Sequence, residues 1–201
     1  MSLGKQAKTL TKAQTDSLYH WLSLTRDPER NRLIFLLSLK AGLRAKEIAN
    51  LTWGMVLDAS GELSDFIALE DSASKGASGR TIPINKQLIQ QLRRQLERVQ
   101  QRRSAKTPIR DQRVIQTQRG RATSAQVVVN MFQVWYQRAG LIGCSSHSGR
   151  RTFITNAAKK ISTVGGSLRD VQMLAGHSSL QTTQRYIEGD SDARRKVVDL
   201  V

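Results

Sequence analysis

The stretch from Ser145 to Tyr186 constrains the chain most, because it spaces four chemistry-bearing side chains along helix, stop and helix in a fixed order. It reads SSHSGRRTFITN and, farther on, LAGHSSLQTTQRYIEG. His147 and Arg150 lie three residues apart, so a helix opened by Ser146 or Ser148 projects both from its first turn on neighbouring faces. The unpaired N–H groups of such a helix start favour an anion. Gly176 stops the apolar run Val171, Met173 and Leu174, which puts His177 in the loop beyond a helix end, and Tyr186 follows nine residues later. Singly, such residues are ordinary core or surface groups, and only their joint spacing is informative.

The rest of the chain alternates helical periodicity with one short β signal. Thr11 with Gln14 forms a capping box ahead of Leu18, Trp21 and Leu22, so a first helix begins at about residue 11. Asp27-Pro28 opens a second, with Asp27 as cap and Pro28 at the first helical position; Leu33, Ile34, Leu36, Leu37 and Leu39 bury it, and Gly42 ends it. Arg44 and Glu47 then share a short new helix. Phe66–Leu69 and Thr81–Ile84 read as strands about a turn rich in Ser, Gly and Lys, Pro83 marking an edge.

Leu88, Ile89, Leu92, Leu96 and Val99 recur at helical spacing, with Arg93, Arg94, Arg98, Arg102 and Arg103 on or beyond the other face, available to solvent or to DNA phosphate. Lys106 to Arg121 is a basic connector holding a brief strand. Ser124 caps a helix whose core face holds Val127, Val128, Met131, Phe132 and Trp135, and Ser167 with Asp170 opens the helix that ends at Gly176. Val197, Val198, Leu200 and Val201 give the last residues an apolar stripe, and a terminal helix is expected there.

Charge narrows the partners. Lys and Arg number 32 against 16 acidic residues, a formal charge of +16 that attracts polyanions, nucleic acid first. RNA is the remoter choice. No apolar run reaches the roughly 18–20 residues needed to span a bilayer, and no signal peptide is evident, so the expected compartment is the cytoplasm, in association with the nucleoid. The lone Cys144 and three histidines suggest neither an intrachain disulfide nor a metal cluster.

The order His147, Arg150, Gly176-His177, Tyr186 resembles the tyrosine recombinase (phage integrase) family, whose signature pairs H-x-x-R with G-H and then a Tyr nine residues after that His. Two more stretches share the likeness. A-G-L-R-A-K-E-I is similar to the family's T-G-L-R-x-x-E-L, which matches Arg44 to its first catalytic arginine and leaves Glu47 to orient a neighbouring arginine or histidine. S-A-S-K-G-A-S-G-R-T-I-P-I resembles its T-K-x-x-x-x-R-x-V-P-L hairpin, matching Lys75 to the catalytic lysine and Arg80 to the basic residue after it.

The resemblance implies a mainly α fold with a small antiparallel β-hairpin, one catalytic domain over 1–201 with a C-terminal tail at 187–201, and no separate core-binding domain, since Arg44 lies so near the start. It implies a site-specific recombinase of integrase or invertase type acting on double-stranded DNA through a 3′-phosphotyrosyl link, with no cofactor, metal or ATP. Tyr186 is then the nucleophile, Arg44 and Arg150 the phosphate ligands, His147 a proton acceptor, Lys75 the acid for the leaving 5′ oxygen and His177 a hydrogen-bond donor. Arg80, Arg151 and Arg185 are expected to touch DNA. A tetramer on DNA that exchanges C-terminal tails is the implied assembly. The alternatives are a type IB topoisomerase-like activity and a DNA-binding protein that keeps the fold without turnover.

Overall fold

Helix α2 (Pro28–Lys40) is the centre about which the other elements pack, and every residue from Leu33 to Leu39 is buried, the pattern of a helix covered on all sides. The computed structural model describes residues 7–74, 78–101, 108–117, 120–186 and 198–199. Helices α1 (Lys12–Leu22), α4 (Lys86–Gln101) and α6 (Ser148–Lys160) lie against α2, while α3 (Ala45–Asn50) packs on α5 (Ala125–Arg138). The mainly helical architecture with one small antiparallel pair is the expected one.

Local chemistry explains most boundaries. Thr11 Oγ1 accepts from Gln14 N at 3.2 Å and Gln14 Oε1 accepts from Thr11 N at 3.0 Å, closing the capping box of α1. Pro28 takes the first position of α2 as expected, but Asp27 makes no side-chain cap bond; its carboxylate accepts from Arg98 Nη1 of α4 at 3.1 Å and lies 3.6 Å from Arg30 Nη1. Charged donors outcompete a backbone N–H for that carboxylate, so Asp27 ties α2 to α4 instead of capping. Ser124 caps α5, yet Val127, expected in the core, is 45% exposed, because the buried row runs through Val128, Phe132 and Trp135. Arg93 and Arg94 of α4 stand exposed; Arg102 and Arg103 lie outside the described residues.

Strands β1 (Phe66–Leu69) and β2 (Arg80–Pro83) pair antiparallel with Leu69 opposite Arg80 and Phe66 opposite Pro83. The second strand thus begins one residue before its expected start, drawing Arg80 into the ladder, and Ile67, Leu69 and Ile82 turn to the core. In the connector after α4, the expected brief strand is reduced to single bridges, Thr52 with Arg113 and Gln116 with Ala122, around buried Val114 and Ile115. Helices α7 (Leu168–Ala175) and α8 (Leu180–Gln184) complete the described chain but for residues 198–199; most of the 187–201 tail expected to form a terminal helix lies outside it. A small second cluster of Ile154, Val171 and Ala175 joins α6 to α7, and Tyr186 packs on it.

Two glycines let the elements approach where the functional groups gather. Gly149 of α6 meets α2 so closely that a Cβ there would lie 2.6 Å from Ser38 Oγ. Gly42, at φ +65°, ends α2, and its Cβ would lie 2.5 Å from Phe153 Cδ1. Replacing Gly42 by Ala therefore combines a left-handed backbone penalty with a ring clash, and should cost roughly 1–3 kcal/mol, read as a lower urea midpoint at unchanged slope. A midpoint equal to wild type would contradict the packing described.

Candidate active site

Glu47 is the hub on which the arginines converge. It is fully buried on α3, and its carboxylate accepts four hydrogen bonds: from Arg44 N at 2.8 Å, Arg44 Nη1 at 2.7 Å, and Arg80 Nη1 and Nη2 at 3.1 Å each. Burial alone would raise its pKa, but the hydrogen bond and charge of Arg80, with those of Arg44, hold it below the ordinary glutamate value. Arg44 remains partly exposed at the lip of the site, whereas the Arg80 side chain is only 6% exposed. Arg80, expected to face DNA, is thus turned inward to a carboxylate.

Arg150 comes from the first turn of α6, and it too is held by the protein. Its Nη1 donates to Gly42 O at 2.5 Å and its Nη2 to Ala175 O at 2.6 Å, so the backbone just beyond α2 and the last residue of α7 fix the plane of the guanidinium. Three of its five N–H donors are left for a ligand. Burial, then the positive charge of Arg44 and Arg80, pulls its pKa down to about 10, with Glu47 and Tyr186 opposing, and it stays a cation at neutral pH. His147 occupies the cap position of α6 with no side-chain cap bond, where a serine was expected; Ser148 Oγ accepts instead from Ser145 N at 3.0 Å. That bond folds the chain before α6 back on itself and leaves His147 lining a cavity.

The loop after α7 delivers the second histidine. Gly176, at φ +60°, closes α7, and a Cβ on it would lie 2.9 Å from Arg80 Nη1. His177 then packs with its Nδ1 2.9 Å from the buried Thr183 Oγ1, and its ring stacks on Tyr186 at 5.6 Å between centroids and 22° between planes. The Arg151 guanidinium also lies over the Tyr186 ring, 5.5 Å from its centroid. Burial, followed by the charges of Arg150, Arg44 and Arg80, lowers the His177 pKa to about 4. His177 is therefore neutral at pH 7, and it presents Nε2–H to a ligand only in the tautomer where the Thr183 hydroxyl donates to Nδ1.

These groups line two adjoining cavities that share Thr182. The larger, about 850 Å³, holds Arg44, Arg80 and His177; the smaller, about 360 Å³, holds His147, Arg150, Arg151, Arg185 and Tyr186. The structure thus brings together every anticipated site residue except Lys75, which lies outside the described residues.

Sequence and structure comparisons give the chain its family and its fold neighbours. The family model described as the phage integrase family matches residues 8–192. The chain belongs to the phage integrase family. It is 29% identical over 204 residues to the tyrosine recombinase XerC of Shewanella amazonensis, spanning 99% of this chain and 64% of that protein. It is 32% identical to the tyrosine recombinase XerA of Thermococcus kodakarensis, across 94% of this chain and 61% of that one. The chain thus spans a little over three-fifths of the length of these curated relatives. Among solved structures, an XerA recombinase superposes with a TM-score of 0.70 at 19% identity, covering 100% of this chain and 65% of that one. The Tn1549 transposon integrase, in complex with a circular intermediate DNA, gives 0.74 at 21% identity, covering 98% and 66%. These likenesses establish the fold of this integrase-family chain.

Some functional groups have no sequence signal. The carbonyls of Gly42 and Ala175 orient Arg150, and a carbonyl is present at every residue. Thr183 could be sought as a hydroxyl one to two helical turns beyond His177; Gln172, whose Nε2 donates to His177 O at 2.9 Å, lies one turn before the stop.

The low His177 pKa has a readable consequence. Because the unfolded state binds this proton near pH 6.5 and the folded state only near pH 4, the contribution to stability is complete above 6.5 and falls away as pH drops toward 4. A ¹³C-detected titration of His177 should give a midpoint near 4, and His177→Gln should flatten that segment of the stability profile. An ordinary histidine midpoint would refute the buried, cation-flanked environment.

Proposed function

We propose that this chain is the catalytic part of a site-specific DNA recombinase that cuts and rejoins double-stranded DNA through a 3′-phosphotyrosyl link on Tyr186. The observation that supports this most is the seating of Tyr186 against His177 and beside Arg150, within a cluster of three arginines that contains one carboxylate. A neutral phenol attacks phosphorus poorly, so the nucleophile needs a proton acceptor beside it.

The chemistry follows from what each group can donate. A phosphate seated by Arg44 and Arg150 has its non-bridging oxygens held by guanidinium N–H groups, which stabilise the charge that builds in the transition state. Tyr186 Oη attacks phosphorus as its proton passes to His147; the P–O5′ bond breaks, and the 5′ oxygen takes a proton from Lys75. His177 donates from Nε2 to a phosphate oxygen in the tautomer whose Nδ1 accepts from the Thr183 hydroxyl. The phosphotyrosyl bond keeps the energy of the broken phosphodiester, so a 5′ hydroxyl of another strand can attack it, break P–Oη and return the proton to the phenol without ATP.

The setting belongs to the same reading. The formal charge of +16 supplies affinity for the DNA backbone. Homotetramer assembly on DNA, with tail residues 187–201 passing to a neighbour, and a cytoplasmic, nucleoid-associated location accompany the proposal; among the described residues no helix is long and apolar enough to cross a membrane. Likeness to Xer recombinases and integrases favours strand exchange over topoisomerase-like relaxation.

A pool of nicked duplexes randomised across the cleavage region tests the reading. The chain should trap DNA on Tyr186, identified by mass spectrometry of the digested adduct, and Tyr186→Phe should trap none; an adduct persisting in that variant removes the assignment. Arg150→Lys should keep DNA affinity but lower single-turnover cleavage by about 100-fold or more, since one ammonium replaces a planar fork. A parallel loss of affinity would make Arg150 an anchor.

A further inference from the structure

Arg80 lies at the meeting point of three elements. Its Nη1 and Nη2 take Glu47 of α3, its Nε donates to Leu174 O of α7 at 2.9 Å, and its Nη1 also reaches Ser78 O at 3.2 Å, just before its own strand β2. Four of its five N–H donors are thus occupied inside the protein. Gly79, immediately before it, donates its N–H to Asp71 Oδ1 at 2.6 Å, which fixes the strand from which Arg80 projects. The lack of a side chain at Gly176 is what lets α7 close on the guanidinium.

Each partner of Arg80 leads to a group of the proposed site. Glu47 also binds Arg44, and Leu174 precedes the Gly176-His177 turn by two residues. We propose that Arg80 is a positioning residue for strand cleavage: its guanidinium clamps Glu47 to the end of α7 and so holds Arg44 and His177 at the separation that one phosphate requires. This rests on the reading of Arg44 and His177 as phosphate ligands. One N–H of Arg80 is left over, and more than a single contact with DNA would require it to release a buried carboxylate. Without Arg80, Glu47 keeps only Arg44, whose guanidinium is then drawn toward the carboxylate and away from phosphate. A lysine cannot replace the clamp, because one ammonium cannot span two carboxylate oxygens and a carbonyl on opposite sides.

The test is a double-mutant cycle on the full chain, using a nicked duplex recovered from the randomised pool. Arg80→Ala and Arg80→Lys should each bind that duplex as wild type does and lower single-turnover cleavage at saturating DNA by about 10- to 100-fold. Adding Arg44→Ala to Arg80→Ala should cost far less than adding it to wild type, because the first change already misplaces Arg44. Full cleavage at saturating DNA with weakened affinity, or an undiminished Arg44→Ala penalty, overturns the proposal and makes Arg80 a DNA anchor or an independent structural residue. Should Arg80→Ala fail to fold by circular dichroism, the same cycle in Arg80→Lys decides. Hydrogen exchange of the Gly176 and His177 amides, read without DNA, should quicken in Arg80→Lys. Unchanged exchange overturns the clamp even if wild type forms no adduct, whereas a missing wild-type adduct by itself removes only the proposed function.

Discussion

Two guanidinium groups share one buried carboxylate beside a third that is held by backbone carbonyls, and the rest of the molecule is arranged to keep them there. Arg44 and Arg80 bind Glu47 directly, while Arg150 acts on the same region through its field and is fastened to two backbone carbonyls. One negative charge against three positive ones leaves the cluster under-neutralised in a place where burial makes charge costly. Such a cluster persists because the cations are hydrogen-bonded to groups that cannot leave, and the remaining deficit is what an incoming phosphate would fill. The depressed pKa of His177 reports its burial first and then the same field.

The fold serves this cluster through close approaches. Helix α2 ends at Gly42, whose carbonyl holds Arg150; α6 starts against Ser38 of α2; α7 ends at Gly176 against Arg80. Each contact fixes the end of a helix rather than its middle, so the helices act as rigid struts and the candidate site is built from their termini. Tyr186 is placed by packing on the small cluster of Ile154, Val171 and Ala175, which belongs to the same two helices that carry Arg150 and precede His177. Movement of α7 relative to α6 would therefore disturb Tyr186, Arg150 and His177 together.

Much of this could be read before any coordinates, and the parts that could not have definite causes. Periodicity and capping residues located α1, α2, α5 and α7 because those signals are local: Thr11 with Gln14, Pro28, Ser124, and Ser167 with Asp170 act within one turn. The spacing of His147, Arg150, His177 and Tyr186 announced a site because it is a pattern of side-chain types. Tertiary competition was invisible. Asp27 looked like a cap and instead pairs with Arg98, and Arg80 looked like a surface cation and instead reaches across to Glu47. Val127 was set on the core face because an apolar residue beside a buried one is indistinguishable from it without knowing which helix lies opposite. The carbonyl ligands of Arg150 leave no trace in side-chain identity.

In the proposed reaction Arg44 and Arg150 together seat one phosphate beside Tyr186. A crystal structure of the Tyr186→Phe variant bound to a duplex containing its cleavage site examines it most directly. The account predicts a single DNA phosphate within hydrogen-bonding distance of both guanidinium groups and of His177 Nε2, facing the ring at position 186. A phosphate backbone that runs over the exposed arginines of α4 and leaves Arg44 and Arg150 without a ligand would contradict it.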